Sequence, residues 1–571
     1  MTSVAAPDQE THSIETAGLG DRVSRHRTVA GMASGFLLWT SFPPAEWSWL
    51  AWVALVPLFW LATLPGPRAK TYLAAWAGGL VFWLLALEWV RMCDASAWIG
   101  WLLMALVFSL WWPGFLALTR FALFRLQLPL LLVAPIIWVG GEFLRAYILS
   151  GFPWYYLAHS QFRHVYLIQV ADLTGSLGIS FLIAVFNALV VDLLSLPLLR
   201  VTKSGTRLVR RQHIRLCVVT ILLGTTFCYG AFRVSNAKFR DGPKLALLQS
   251  NIAQKEKAEG NPTKIMSHFT ALVERAVAHG ETPDLIVWPE TAFPLGYIAI
   301  DSSVDNATLE RHVRSMPDEI PVEAWVKRKT ETENWLHHWV DTIKVPMLVG
   351  TTFFDHQPGS LEKYNSAILV SPALSTIRYY HKMHLVPFGE YVPFLGTMPW
   401  LADLIPYPGG RVPTLSFGRQ PLLIPLNEHL LAVTICFEDT IPQVIARFFR
   451  EGAADRQPDV LINLTNDGWF HDSPELDMHL AIGVFRAVEH RVPLARAVNT
   501  GLSALVDGNG EIRSFLPKET ENVLSVTVPL DDRRGLYSRF GDWLGLSCFA
   551  VTIGLVPIGI FRKPRRPRQQ N

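Results

Sequence analysis

Three ionisable residues stand where apolar runs break into loops. Cys436 ends the run 430–435 and precedes Phe437 and Glu438, and Glu290 closes Leu-Ile-Val-Trp-Pro-Glu at 285–290. Lys382 lies in Tyr-His-Lys-Met-His-Leu-Val-Pro-Phe-Gly-Glu at 380–390. Strand ends commonly carry reactive groups, because a rigid sheet fixes them while the loop stays free to vary. Cys436 is the only cysteine between 234 and 542, a part of the chain that the charge pattern below places outside the cytoplasm. A lone thiol in an oxidising compartment has no local disulfide partner, so catalysis is the leading reason for its presence. A thiol attacking an ester or amide carbonyl needs a base for its proton, and Glu290 is the candidate. It also needs positive charge where the carbonyl oxygen becomes an oxyanion, which Lys382 and the backbone N–H of Phe437 can supply. Each of these residue types is commoner at a solvated surface, so the weight falls on the surrounding motifs.

The elements that must position these groups divide the chain in two. Half of the 571 residues are hydrophobic, with 21 Trp and 32 Phe, and the mean hydropathy is positive. That is too oily for a soluble protein and too long for one ordinary domain. The apolar residues concentrate in 28–233 and 543–561. A helix needs about 20 apolar residues to cross a bilayer, and 28–42, 47–64, 71–90, 96–119, 127–146, 167–199, 216–233 and 543–561 are candidates. The first two are short. A cleaved signal peptide at 28–42 is disfavoured, because no small-residue cleavage pattern precedes Pro43 and more apolar segments follow at once.

Arginine and lysine fall mainly in alternate loops. Arg22, Arg25 and Arg27 precede the first segment, Arg68 and Lys70 follow the second, and Arg120 and Arg125 follow the fourth. Arg200 to Arg215 hold six more after the sixth, and Arg562 to Arg568 five at the tail. By the positive-inside rule both termini are cytoplasmic. The expected organisation is a cytoplasmic tail at 1–27, about seven membrane helices at 28–233, an outer domain at 234–542, a last membrane helix at 543–561 and a basic cytoplasmic tail at 562–571. Basic residues clustered as orientation signals do not imply nucleic acid, and the net charge of +3 adds nothing to that case.

Within the outer domain, 244–251, 284–289, 345–354, 364–371, 430–438 and 459–466 have the Val, Ile and Leu runs of buried strands. Helical patterns at about 264–279 and 476–490 fall between them, and Asp-Gly-Asn-Gly at 507–510 marks a hairpin. An α/β domain with two layers of sheet covered by helices fits. The polar stretch 299–340, with charges around Trp325 and Trp335, is expected to be a peripheral insertion.

With these motifs in place, the chain resembles the nitrilase superfamily, whose catalytic set is Glu, Lys and Cys, and more closely its membrane-bound branch, the apolipoprotein N-acyltransferases. Carrying the resemblance are Trp-Pro-Glu-Thr-Ala at 288–292, His-Lys-Met-His-Leu-Val-Pro-Phe-Gly-Glu-Tyr-Val-Pro at 381–393 and Cys-Phe-Glu at 436–438. Asn-Leu-Thr-Asn-Asp-Gly-Trp-Phe at 463–470, Arg-Ala-Val-Asn-Thr-Gly at 496–501 and Gly-Phe-Pro-Trp at 151–154 look like the same family. It implies an αββα domain facing the periplasm of a bacterial inner membrane on an eight-helix base. In the reaction it implies, Cys436 takes an acyl chain from a phospholipid, expected to be phosphatidylethanolamine, as a thioester. The α-amine of a diacylglyceryl-cysteine at an apolipoprotein N-terminus then takes the chain from Cys436. Glu290 would be the proton acceptor and Lys382 the stabiliser of both tetrahedral intermediates, with no metal or soluble cofactor. The alternative is a membrane-tethered amidase of nitrilase type, in which water resolves the thioester.

Supporting positions carry two readings each. Glu390 either orients Lys382 and the amine or caps a turn, and Glu438 either supports the site or binds backbone N–H groups. Gln254, Trp400, Tyr407, Asn466 and Trp469 are candidates for substrate contact, and Asp467 is expected to shape the pocket wall. The aromatic-rich stretch 394–408 is a flap over the acyl entrance or a membrane-facing anchor. Glu88 and Glu142 are expected to reach the membrane interface, and His381 and His384 lack a metal-ligand pattern. The chain departs from the family pattern at Ala253 and Ala258, the latter where Trp is usual, and at Phe437, where Tyr is frequent.

Overall fold

The computed structural model describes residues 26–561 apart from 66–67, 95, 196–197, 203–204, 260, 279–280, 317–319, 374–376, 399, 401–411 and 452–455. Tyr407, the first 25 residues and the basic tail from 562 therefore lie outside the described residues, as does the side chain of Ala258.

Among the described residues, six stretches are helical, long and apolar enough to cross a membrane, by length and composition. They are α1 (Arg68–Ala86), α2 and α3 (Ala97–Ser109 and Trp111–Phe124, end to end), α4 (Leu130–Tyr147), α5 (Ser176–Ser195), α6 (Arg210–Ser235) and a last helix, Trp543–Phe561. Two shorter apolar helical stretches, 26–39 and Ser48–Thr63, accompany them. Six of the eight expected spans thus have helices of spanning length, with altered limits, and the first two correspond only to the shorter stretches. Pro113 has no N–H for the Ser109 carbonyl, and the helix breaks at Leu110 between α2 and α3. The expected span 167–199 begins only at Ser176, because Gly175 takes a positive φ of 69° and separates α5 from two single-turn helices, Val165–Ile168 and Ala171–Thr174.

Two sheets build the second part. In the first, β1 (Phe239–Gln249), β2 (Leu285–Val287), β3 (Phe293–Ile300), β4 (Met347–Gln357), β5 (Ser360–Val370) and β6 (Arg378–His381) are joined at one edge by a late strand. The second contains β7 (Leu423–Leu426), β8 (His429–Ile435), β9 (Val460–Thr465), β10 (Leu494–Val498), β11 (Ala504–Val506) and β12 (Ile512–Phe515), in reverse order across the sheet. The late strand, β13 (Asn522–Asp531), returns antiparallel to β1. At the centres the strands run parallel, β1 beside β2 beside β4 and β8 beside β9 beside β10.

Period-two alternation decides which face each residue serves. Leu245, Leu247, Leu285, Val287, Leu348 and Leu369 of the first sheet belong to one core with Leu431, Val433, Leu461 and Ala495 of the second. Their neighbours Ala246, Leu248, Ile286, Met347, Val349 and Ile368 form a separate core with helices α7 (Pro262–Ala278) and α8 (Val322–Ile343). Helices α9 (Pro442–Arg450) and α10 (Glu475–His490) pack with the second sheet. The order is helix, sheet, sheet, helix, as expected. The expectation for 299–340 is corrected in part: Trp325, Thr332, Leu336 and Val340 line one buried face of α8, and Leu336 and Val340 join the core under the first sheet. An amphipathic helix with charges on its open face reads as polar overall, which hid its covering role.

Candidate active site

Parallel strands end together, and that brings the reactive residues to one edge. Glu290 follows β2, Lys382 follows β6 and Cys436 follows β8. The Lys382 ammonium donates to Glu290 Oε1 at 3.3 Å and lies 2.9 Å from Glu390 Oε2. Asn365 of β5 bridges the same two carboxylates, its Nδ2 donating to Glu290 Oε1 at 2.7 Å and to Glu390 Oε1 at 2.8 Å. Glu390 also accepts from the Val386 N–H at 2.8 Å, so it contacts both Lys382 and the backbone of its own loop. An ammonium has three N–H groups. Two meet these carboxylates, and no hydrogen bond to another described residue takes the third.

Burial alone would depress the Lys382 pKa, but Glu390 and Glu290 outweigh it and hold the ammonium above the ordinary lysine range. Burial pushes the Cys436 thiol well above its ordinary value; Glu290 and Asp467 add to the rise, while Lys382 and a hydrogen bond with Thr465 oppose it. The thiol thus rests protonated, and attack needs a base.

Cys436 sits at φ 49°, the left-handed region that a residue with a Cβ occupies at a cost of about 1–2 kcal/mol. It opens a 3-10 turn, Cys436–Thr440. Asn463 donates to its carbonyl at 3.0 Å. Glu438 holds this turn to the lysine loop: its carboxyl accepts from Ile435 N–H at 2.8 Å, Met383 N–H at 2.6 Å, His384 N–H at 3.0 Å and the Tyr380 hydroxyl at 2.8 Å. Glu438 thus binds backbone N–H groups and in doing so ties the turn of Cys436 to the loop of Lys382, and burial lifts its pKa to about 7.

Of the substrate-contact candidates, Gln254 and Asn466 are brought together, Asn466 Nδ2 donating to Gln254 Oε1 at 2.9 Å. Asn499 extends the chain, donating to Asn466 Oδ1 at 2.9 Å. Trp469 and Trp400 stand 46% and 54% exposed, as do their neighbours Phe394 and Phe388 at 58% and 53%. Among the described residues, no hydrogen bond or ring pair links these four to Glu290, Lys382 or Cys436. From the first part of the chain, Trp154 stacks on Phe437 with centroids 6.5 Å apart and planes 10° apart, and Trp89 meets Trp154 at 5.3 Å and Phe470 at 5.0 Å.

Sequence reasoning missed several residues. Asn365 carried one faint signal, an amide inside a buried strand. Lys257 donates to the Glu290 carbonyl at 3.1 Å, and burial lowers its pKa to about 8 against the pull of Glu290. Glu142 is corrected: far from reaching an interface, it is buried and accepts from Trp138 Nε1 at 3.0 Å and Leu157 N–H at 2.9 Å. Glu88 is exposed and paired with Arg91. Asp467, Glu475 and His479 hold donor atoms within 4.8 Å of one another, a metal-like spacing. Both His479 ring nitrogens already face carboxylates, however, and the Arg496 guanidinium lies 3.6 Å from Asp467. Without a free imidazole lone pair the group is an ion network.

Two family models match the chain: the apolipoprotein N-acyltransferase N-terminal domain over residues 34–189, and carbon-nitrogen hydrolase over residues 244–537. The apolipoprotein N-acyltransferase of Geobacter metallireducens is 31% identical, with 95% of this chain and 97% of that protein covered. Its counterpart in Chlorobaculum tepidum is 30% identical over 93% of this chain and 96% of its own length, and that of Rhodopirellula baltica 28% over 93% and 97%.

Proposed function

The chain belongs to the apolipoprotein N-acyltransferase family, and from that premise we propose that it moves an acyl chain from a phospholipid to a lipoprotein amine by way of Cys436. The observation that carries this is the Lys382 ammonium, clamped by Glu290 and Glu390 and felt by the Cys436 thiol. Glu290 takes the thiol proton as sulfur attacks the ester carbonyl. Lys382 and the Phe437 N–H hold the oxyanion. The ester C–O bond then breaks, the proton passes to the departing oxygen, and a lysophospholipid leaves a thioester on Cys436. The α-amine of a diacylglyceryl-cysteine attacks that thioester and gives its proton to Glu290. The C–S bond breaks, and the thiol regains its proton. One nucleophile shared by two substrates makes the kinetics ping-pong. Phosphatidylethanolamine is the proposed donor.

Geometry supports a lipid donor over a soluble one. Each methylene left in the bilayer is worth about 0.8 kcal/mol, so a two-chain lipid stays there and the site must come to it. The stack of Trp89, Trp154 and Phe437 links the apolar helices to the nucleophile turn. Accordingly, 26–39 and Ser48–Thr63 cross together with the six longer helices, eight crossings in a bacterial inner membrane, with residues 234–542 in the periplasm. Glu390 fixes Lys382, and Gln254, Asn466, Trp469 and Trp400 border the substrates.

Intact-protein mass spectrometry tests the reading. Incubation with phosphatidylethanolamine should add a fatty-acyl mass that hydroxylamine removes, that Cys436→Ala abolishes, and that passes to the amine of an added diacylglyceryl peptide. Release of the acyl group to water with none on the peptide would instead favour an amidase.

A further inference from the structure

A buried charge cluster touches the turn that carries Cys436, and the acyl-transfer steps give it no part. At its centre His479 of α10 places Nε2 2.8 Å from Asp439 Oδ1 and Nδ1 3.0 Å from Asp467 Oδ1. Asp439 lies in the 3-10 turn that Cys436 opens, and Asp467 opens the turn Asp467–Phe470, which follows Asn466. His479 therefore clips the nucleophile turn to the pocket-wall turn. Arg496 of β10 lies 3.5 Å from Asp439 Oδ2 and 3.6 Å from Asp467 Oδ2. Glu475, one turn before His479 on α10, stands 3.7 Å from Nδ1. All five side chains are at most 2% exposed.

The charges of this cluster are set by who faces whom. Two carboxylates each accept from one imidazole nitrogen, so both nitrogens carry protons and the ring is a cation. Burial and Arg496 work against that cation, but Asp439 and Asp467 outweigh them and hold its pKa up at about 10. Burial and Asp467 push Glu475 well above the carboxylate range; Cys93 and Tyr155 are the titratable groups that face Glu475 from the first part of the chain. Trp154 covers the ring with its centroid 5.8 Å away. Two cations thus balance two carboxylates. Facing the Cys436 thiol itself are Glu290, Lys382, Asp467 and Thr465. Asp467 belongs to both lists, and it disfavours the thiolate.

We propose that His479 is a positioning residue for the acyl transfer: by pinning the two turns together and cancelling the charge of Asp467, it sets how readily Cys436 becomes a thiolate. The proposal rests on the reading of Cys436 as the acyl acceptor. With the cation removed, Asp467 keeps only Arg496 as a counter-charge and acts more strongly on the thiol through a low-dielectric interior, so the thiol holds its proton more tightly.

The test is the pH dependence of Cys436 alkylation by iodoacetamide in the purified full-length enzyme, read at the Cys436 peptide by mass spectrometry. His479→Gln should move the midpoint up by about one pH unit, roughly tenfold slower alkylation at a fixed pH below it. Adding Asp467→Asn, which removes one negative charge as well, should return the midpoint toward wild type, a rescue that a purely structural role does not give. An unmoved midpoint in folded His479→Gln, or no return in the double variant, overturns the proposal. Should His479→Gln fail to fold, Asp467→Asn alone decides: a downward shift supports the proposal, and an unmoved or rising midpoint overturns it. Alkylation needs neither lipid nor peptide, so these outcomes stand apart from whether the wild type forms a thioester.

Discussion

Cys436 is half-buried, beside a carboxylate that disfavours its thiolate and an ammonium that favours it. One substitution should therefore tune it in either direction. Glu290→Gln removes the negative charge, so the alkylation midpoint of Cys436 should fall by about one pH unit, while acyl transfer should be lost with the proposed base. Lys382→Met should move the midpoint up and also end transfer. A Glu290→Gln variant that still forms the thioester at the wild-type rate would remove Glu290 from its role as base. Cys436 and Glu290 stood out in the sequence because each ends an apolar run, and Lys382 because of the motif at 381–393 around it. Asn365 and Lys257 did not. Their partners lie 75 and 25 residues away for Asn365 and 33 for Lys257, and only the folded sheet brings them together. The Phe394 region gave two readings from composition, and the exposure of Phe394 and Trp400 is compatible with either, since flaps and membrane anchors both show aromatic rings.

At the scale of elements, what holds Glu290 is the close approach of β4 to the segment after β2. A Cβ on Gly350 of β4 would stand 2.1 Å from the Pro289 carbonyl oxygen and 2.8 Å from the Glu290 Cα. Both are main-chain atoms, so no rotamer change relieves the clash. Gly350→Ala should cost about 1–3 kcal/mol of overpacking and shift Glu290 away from Lys382. Acyl transfer should fall at least tenfold, and the alkylation midpoint of Cys436 should move down, as in Glu290→Gln but by less. Full transfer activity in that variant would show that the approach is not what places the carboxylate. Central strands were readable because burial on both faces leaves unbroken Val, Ile and Leu runs, as in Leu285–Val287 and Val460–Thr465. Edge strands such as β12 and β13 were not, since half or more of their residues are not buried and short alternating runs resemble loops.

Across the whole molecule, one carboxylate joins the apolar helices to the sheets. Asp172, at the break before α5, is fully buried and accepts from Arg491 Nε at 2.9 Å and Nη2 at 2.7 Å and from the Tyr229 hydroxyl of α6 at 2.8 Å. Arg233 of α6 lies 2.7 Å from the same carboxylate. Arg491 closes α10 in the left-handed conformation at φ 56° and also donates to Gln169 Oε1 at 2.6 Å and the Gly508 carbonyl at 3.0 Å. Partners 319 and 57 residues away along the chain left no trace in the sequence, where Asp172 is one acidic residue at the end of an apolar run. The arrangement ties the end of α10 to the segment before α5 and to α6. Asp172→Asn keeps the shape but leaves Arg491 a buried cation without its counter-charge, which costs about 3–5 kcal/mol. The expected result is a lower thermal midpoint and slower acyl transfer from phospholipid in a bilayer, with iodoacetamide alkylation of Cys436 unchanged, because a small soluble reagent does not depend on how the site meets the membrane. Equal loss in both assays would mean that the substitution damages the site itself, and wild-type transfer in a folded variant would mean that the two halves are aligned by packing rather than by this ion network.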